Sequence, residues 1–138
     1  MNYIFNLNPE IQRRDEILFG KYDKSTYAGG CRYFENASLS TMEQLLKENF
    51  LDGSKTFNSS PDMETFIAFA REHKDATFVF GGHAISADRE DYRIDIDSIG
   101  LAEGSAVPSD RTALDFVNTF RFADELNGEP ETLYAWFD

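Results

Sequence analysis

The 138-residue chain has an ordinary single-domain length, and 41% of it is hydrophobic, including 13 Phe, 6 Tyr and 1 Trp. That supply of large core side chains excludes disorder over most of the length. Lys and Arg number 13 against 25 Asp and Glu, a formal charge of −12, which argues against direct binding of nucleic acid because phosphates would be repelled.

A single cysteine, Cys31, cannot close an internal disulfide, and no apolar run approaches the roughly 20 residues of a membrane helix. The opening Met1-Asn2-Tyr3-Ile4-Phe5-Asn6 has neither the basic flank nor the apolar stretch of a secretory signal. A cytoplasmic protein with no membrane partner is expected. The charge is uneven: residues 1–35 hold five acids and five bases, whereas residues 76–138 hold thirteen acids and four bases.

Tyr3 to Leu7 has strand composition and stops at Asn8-Pro9. Glu10 to Ser25 is ambiguous, since Ile11, Ile17, Leu18 and Phe19 suit a helical turn while Gly20 and Asp23 suit a loop. Gly29-Gly30 introduces a second, alternating strand at Cys31–Glu35. Ser40 and Glu43 form a capping box ahead of Met42, Leu45, Leu46 and Phe50, predicting a helix over 41–51 that Asp52-Gly53 ends. Phe57 is the one apolar residue in the loop that follows. Ser60-Pro61 opens a helix over 61–73, with Met63, Phe66, Ile67 and Ala70 on one side.

Ala76–Ser86 and Tyr92–Ile99 read as an antiparallel hairpin with a polar turn at Ala87–Asp91. Gly81-Gly82 predicts a bulge. Tyr92, Ile94 and Ile96 alternate with Arg93, Asp95 and Asp97, so the second strand is expected to show one wet, acidic face. Ser109-Asp110 starts a third helix with an apolar stripe from Ala113 through Phe120 to Ala123, ended by Asn127-Gly128. Thr132–Phe137 reads as a closing strand, with Tyr134, Trp136 and Phe137 either in the core or forming an aromatic patch. The order suits a single α+β domain: an antiparallel sheet of four to five strands with three helices mainly on one face.

Three functions compete. The leading one is a non-enzymatic protein that binds a partner with a basic surface, through Asp88, Glu90, Asp91, Asp95, Asp97, Asp115, Asp124 and Glu125. Carboxylates alternating on a strand lie about 6.8 Å apart, so an ordered array of them can occupy sites built for phosphates and act as a DNA decoy. The second is a small enzyme or ligand-binding domain in which Cys31 is the nucleophile, His83 takes its proton and Asp95 orients the imidazole. The third is a homodimeric subunit joined through a sheet edge. Two histidines, His73 and His83, have no zinc-site spacing, and the acidic turn lacks the EF-hand order, so neither metal nor cofactor is expected. Phosphate-loop, dinucleotide and serine-hydrolase signatures are absent.

The run Phe80-Gly81-Gly82-His83-Ala84-Ile85-Ser86-Ala87-Asp88-Arg89-Glu90-Asp91-Tyr92-Arg93-Ile94, and the ending from Ala123-Asp124-Glu125-Leu126 to Trp136-Phe137-Asp138, resemble small proteins carried by mobile elements of Firmicutes. The resemblance brings no catalytic residues with it. It implies a context in which small acidic proteins counter host restriction and other defence systems, in keeping with the decoy or inhibitor reading.

Overall fold

In the computed structural model, which describes residues 7–56 and 59–138, the elements run α1 (Ile11–Phe19), β1 (Cys31–Ser38), α2 (Leu39–Lys47), α3 (Met63–Glu72), β2 (Phe78–Ile85), β3 (Ile94–Leu101), α4 (Asp110–Thr119), β4 (Glu125–Asn127) and β5 (Tyr134–Trp136). Adjacent strands are all antiparallel, in the order β1-β2-β3-β5-β4. The fold is the expected α+β arrangement, with a fourth helix, α1, in the stretch whose type the sequence left open. The strand expected at Tyr3–Leu7 falls almost wholly outside the described residues, as does Phe57.

The starts of α2, α3 and α4 follow the capping rule, displaced by two residues at two of them, whereas Glu10 at the start of α1 makes no side-chain cap. The Ser38 hydroxyl accepts from the Thr41 amide, so α2 is capped by Ser38 and not by the expected Ser40; Asp62, not Ser60, caps α3 by accepting from Thr65. Ser109 caps α4 as predicted, accepting from Thr112. Helix α2 ends early because Asn49 turns into left-handed backbone at φ 63°, which lets Phe50 and Leu51 drop into the core. The third predicted helix is also corrected: α4 stops at Thr119, and Glu125–Asn127 pairs with β5 as a strand.

Apolar positions of three helices meet the sheet in an aromatic core. Phe66 and Phe69 of α3, Phe116 of α4, Phe120, Phe78 and Phe137 pack with ring centroids 4.9–6.5 Å apart, in stacked and edge-on pairs. Such pairs add about 0.5–1.5 kcal/mol each beyond simple burial. The fourth helix is fastened differently. Arg14 and Asp15 are 1% and 0% exposed, and Arg14 donates to Asp15 Oδ1, to the Ile85 carbonyl and to the Tyr27 hydroxyl, each at 2.9 Å. Tyr27 donates in turn to the other Asp15 oxygen, so α1 is held to the end of β2 by a closed polar cluster.

Register decides the two faces of the sheet. Phe80, Ala84, Ile96, Ile99 and Ala135 turn into the core, which leaves Gly81, His83, Ser98, Gly100, Tyr134 and Trp136 on the opposite face. No described helix packs there: Tyr33, paired with His83, is 75% exposed. The outer strands are short or irregular. Strand β4 has three residues, and the β1 register slips between Phe34 and Ala37, where Asn36 adopts φ 59°.

Candidate functional site

The open face is shaped by the bulge that Gly81-Gly82 predicted. Gly81 pairs with Ser98 and Gly82 with Ile96, so Asp97 is the extra residue and lies on β3, not on the glycine strand. Glycine is required at Gly82, because a Cβ there would sit 1.8 Å from the Asp95 carbonyl oxygen and 2.9 Å from the Phe34 ring. Passing the bulge shifts the outward side of β3 by one residue. Asp97, on the outward side already occupied by Asp95, lies beside His83, with Oδ2 3.2 Å from Nδ1.

Around this pair lies a groove of about 570 Å³, with Tyr33 and Glu35 on the β1 side and Tyr134 and Trp136 on the β5 side. Asp95, Ser98 and the terminal Asp138 also line it. A second cavity of about 500 Å³ adjoins it and shares Glu35, Gly81, Ser98 and Tyr134. Glu103 and Glu131 line that second cavity. Carboxylates and aromatic rings therefore dominate the surface, with His83 the titratable base among the lining residues of either cavity.

Asp95 corrects the expectation of a wet acidic face: it is 5% exposed. Its carboxylate accepts from Arg93 Nε at 2.9 and 3.1 Å, but burial outweighs that cation and pushes the carboxyl up to about 6. Burial also raises Asp97, opposed by the neighbouring His83 ring and Ser98 hydroxyl. Tyr134 is likewise raised, mainly by burial and then by Glu125.

The remaining acids of the hairpin are largely neutralised within the chain. Asp91 lies 2.7 Å from Arg89 and 2.9 Å from Arg93, whose hydrogen bonds hold its carboxyl down at about 2, and Asp88 lies 3.3 Å from Lys24. Glu90 is exposed and, among the described residues, has no ion-pair partner. Asp115 lies on α4, between His73 and Arg111 at 3.2 and 3.3 Å, away from the open face. Asp124 accepts the Asp138 amide, and Glu125 faces outward beside Trp136. Of the eight acids singled out, the structure gathers Asp95, Asp97 and Glu125 onto the open face and scatters the others.

The Cys31, His83 and Asp95 grouping is only partly assembled. Asp95 and His83 are cross-strand partners, but the carboxylate nearest the imidazole is Asp97, and Asp95 is engaged by Arg93. Cys31 pairs with Ile85, does not line the groove, and has its thiol raised above the ordinary value by burial. Among the described residues, no hydrogen bond joins it to His83. Tyr33, Glu35, Ser98 and Asp138 were not foreseen, although the alternation of Cys31–Glu35 already placed Tyr33 and Glu35 on one side.

Among the described residues no three His, Cys, Asp or Glu side chains are placed to hold a metal ion, and no helix is long and apolar enough to cross a membrane. No protein-family model, curated protein or solved structure matches the chain.

Proposed function

We propose that this chain is a non-enzymatic binding protein whose open sheet face receives a basic part of a protein partner. The observation that carries this reading is the groove beside His83, where the carboxylates of Glu35, Asp97 and Asp138 stand among Tyr33, Tyr134 and Trp136. Lysine and arginine side chains satisfy both kinds of neighbour, through charge and through cation–π contact with the rings. The same surface repels phosphate, so its partner is a protein that carries positive charge, including proteins that themselves handle nucleic acid. The acidic hairpin is the weaker candidate, because Asp88, Asp91 and Asp95 already have cationic partners.

Titration with a fluorescent arginine-rich peptide, an acidic peptide and single-stranded DNA tests the reading. Binding of the basic peptide alone, weakening at least tenfold from 50 to 500 mM salt, is expected. Equal binding of all three, or of none, overturns it.

A second reading rests on the His83–Asp97 pair. An imidazole beside a carboxylate in a groove is the arrangement of a general base. It requires turnover of some ester or amide that disappears in His83→Gln; a broad substrate panel with no turnover removes it.

A further inference from the structure

One stretch of the acidic C-terminal half is electrically balanced. Residues 107–122 hold two acids, Asp110 and Asp115, and two bases, Arg111 and Arg121, whereas the rest of residues 76–138 holds eleven acids and two bases. The same stretch carries every exposed large hydrophobic side chain, among the described residues, that is not a tyrosine: Val107, Leu114 and Phe122 are 59%, 56% and 65% exposed. Two chains of charge −12 repel each other over most of their surface, and a balanced, apolar stretch is where they can touch without setting like charges together.

Helix α4 puts these residues in order. Thr112, Ala113 and Phe116 are buried, and the exposed Arg111, Leu114 and Asn118 recur at three- and four-residue spacing along the outer side. Val117 flanks them half-buried, and Arg121 and Phe122 stand exposed just past the last turn, with the Arg121 guanidinium 4.9 Å from the Phe122 ring centre. Arg111 is held by Asp115 at 3.3 Å, but among the described residues neither Asp110 nor Arg121 is in an ion pair.

This outer side is complementary to itself. Leu114 and Val117 lie either side of the middle, and Asp110 and Arg121 mark the two ends with opposite charge. A two-fold axis through the middle, perpendicular to the helix, sets Leu114 against the second copy's Val117 and Asp110 against the second copy's Arg121, each contact made twice. Phe122 then comes near the second copy's Arg111, a cation–π pairing. Parallel helices would instead bring each arginine onto its own equivalent.

We infer that two copies of this chain associate through the outer side of α4, packed antiparallel, with Asp110 of each facing Arg121 of the other. The inference does not rest on the open face: Phe116 of α4 packs on Phe78 from the core side of the sheet, so that face stays free in both copies.

A contact of one helix is small and exchanges readily, so the measurement is sedimentation velocity from about 10 to 500 µM. Salt at 150 mM limits repulsion between the acidic surfaces to about 8 Å. The parent is expected to pass from one chain mass towards two across that range. Asp110→Arg and Arg121→Glu, both at exposed positions, each set like charges together at both ends and are expected to remain monomeric. Mixed one to one, the two variants regain opposite charges at both ends, and the dimer is expected to return. Leu114→Gln leaves every charge in place, serves if a charge variant fails to fold, and is expected to weaken the dimer about fivefold. A parent that stays monomeric overturns the inference. So does a dimer unaffected by Leu114→Gln or by either charge reversal, or a mixture of the two folded charge variants that does not associate.

Discussion

Asp97 meets His83, Oδ2 to Nδ1 at 3.2 Å, on the outward side of β3 that it shares with Asp95, the cross-strand partner of His83. The bulge that follows puts Ser98 next to Asp97 on the same side, and Gly82 is what permits the bulge. Gly82→Ala is expected to cost about 3 kcal/mol or more, because its methyl group would collide with backbone and not with a movable side chain. Gly104→Ala is the contrast: φ is 79° with nothing within 4 Å, so only backbone strain applies, about 1 kcal/mol. Urea denaturation of both variants checks the difference; similar losses would show that the bulge tolerates a side chain.

Asp95 gives the protein a pH dependence of definite sign. Its carboxyl is raised when folded, to about 6, so folding takes up a proton between the unfolded pKa and that value. The stability it contributes is fully present below about pH 4 and is lost as pH rises through 6, about 2–3 kcal/mol in all. Asp91 acts oppositely, its lowered carboxyl favouring the folded state above the unfolded pKa, so the test is a difference. Asp95→Asn is expected to gain on the parent by 2 kcal/mol or so between pH 4 and pH 7.5. A constant gap between the two proteins would refute this assignment.

The cluster that fastens α1 should be far more sensitive to breakage than to removal. Asp15→Ala leaves the buried Arg14 guanidinium without its anion and is expected to destabilise by about 3–5 kcal/mol. Tyr27→Phe leaves one nitrogen of Arg14 and one oxygen of Asp15 unsatisfied, costing about 1–3 kcal/mol. Arg14→Met with Asp15→Leu should lose less than Asp15→Ala alone, as measured by chemical denaturation. A double variant worse than the single would mean that the cluster is a net source of stability.

Tyr33 separates binding from folding. It stands 75% exposed on the wall of the groove, with its ring centroid 4.4 Å from that of His83. Tyr33→Ala is expected to leave stability within about 0.5 kcal/mol and to weaken binding of an arginine-rich peptide about fivefold. Unchanged affinity would place the contact elsewhere.

Features carried by neighbouring residues were legible in the sequence: the serine ahead of α4, the apolar stripe of α3, the glycine pair at the bulge. Helix α1 was not, because Arg14 and Asp15 occupy its buried side and remove the usual apolar pattern. Strand β4 was hidden for a related reason, since three residues show no period and Glu125 exists as strand only through β5. Alternation placed Asp95 and Asp97 together on the outward side, but a side chain's burial depends on what crosses it, here Arg93. That Ser98 joins Asp97 on the open face follows from which strand receives the extra residue, and that is settled between strands.

The irregular ends of the sheet have a consequence for how copies of the molecule meet. A chain laid along β1 would find its hydrogen-bonding ladder broken at Asn36, and one laid along β4 would run out after three residues. Continuous edge-to-edge growth, the route to fibres, is interrupted on both sides. Among the described residues a broad sheet face is left uncovered, and neither border strand of that sheet offers a continuous template for polymerisation.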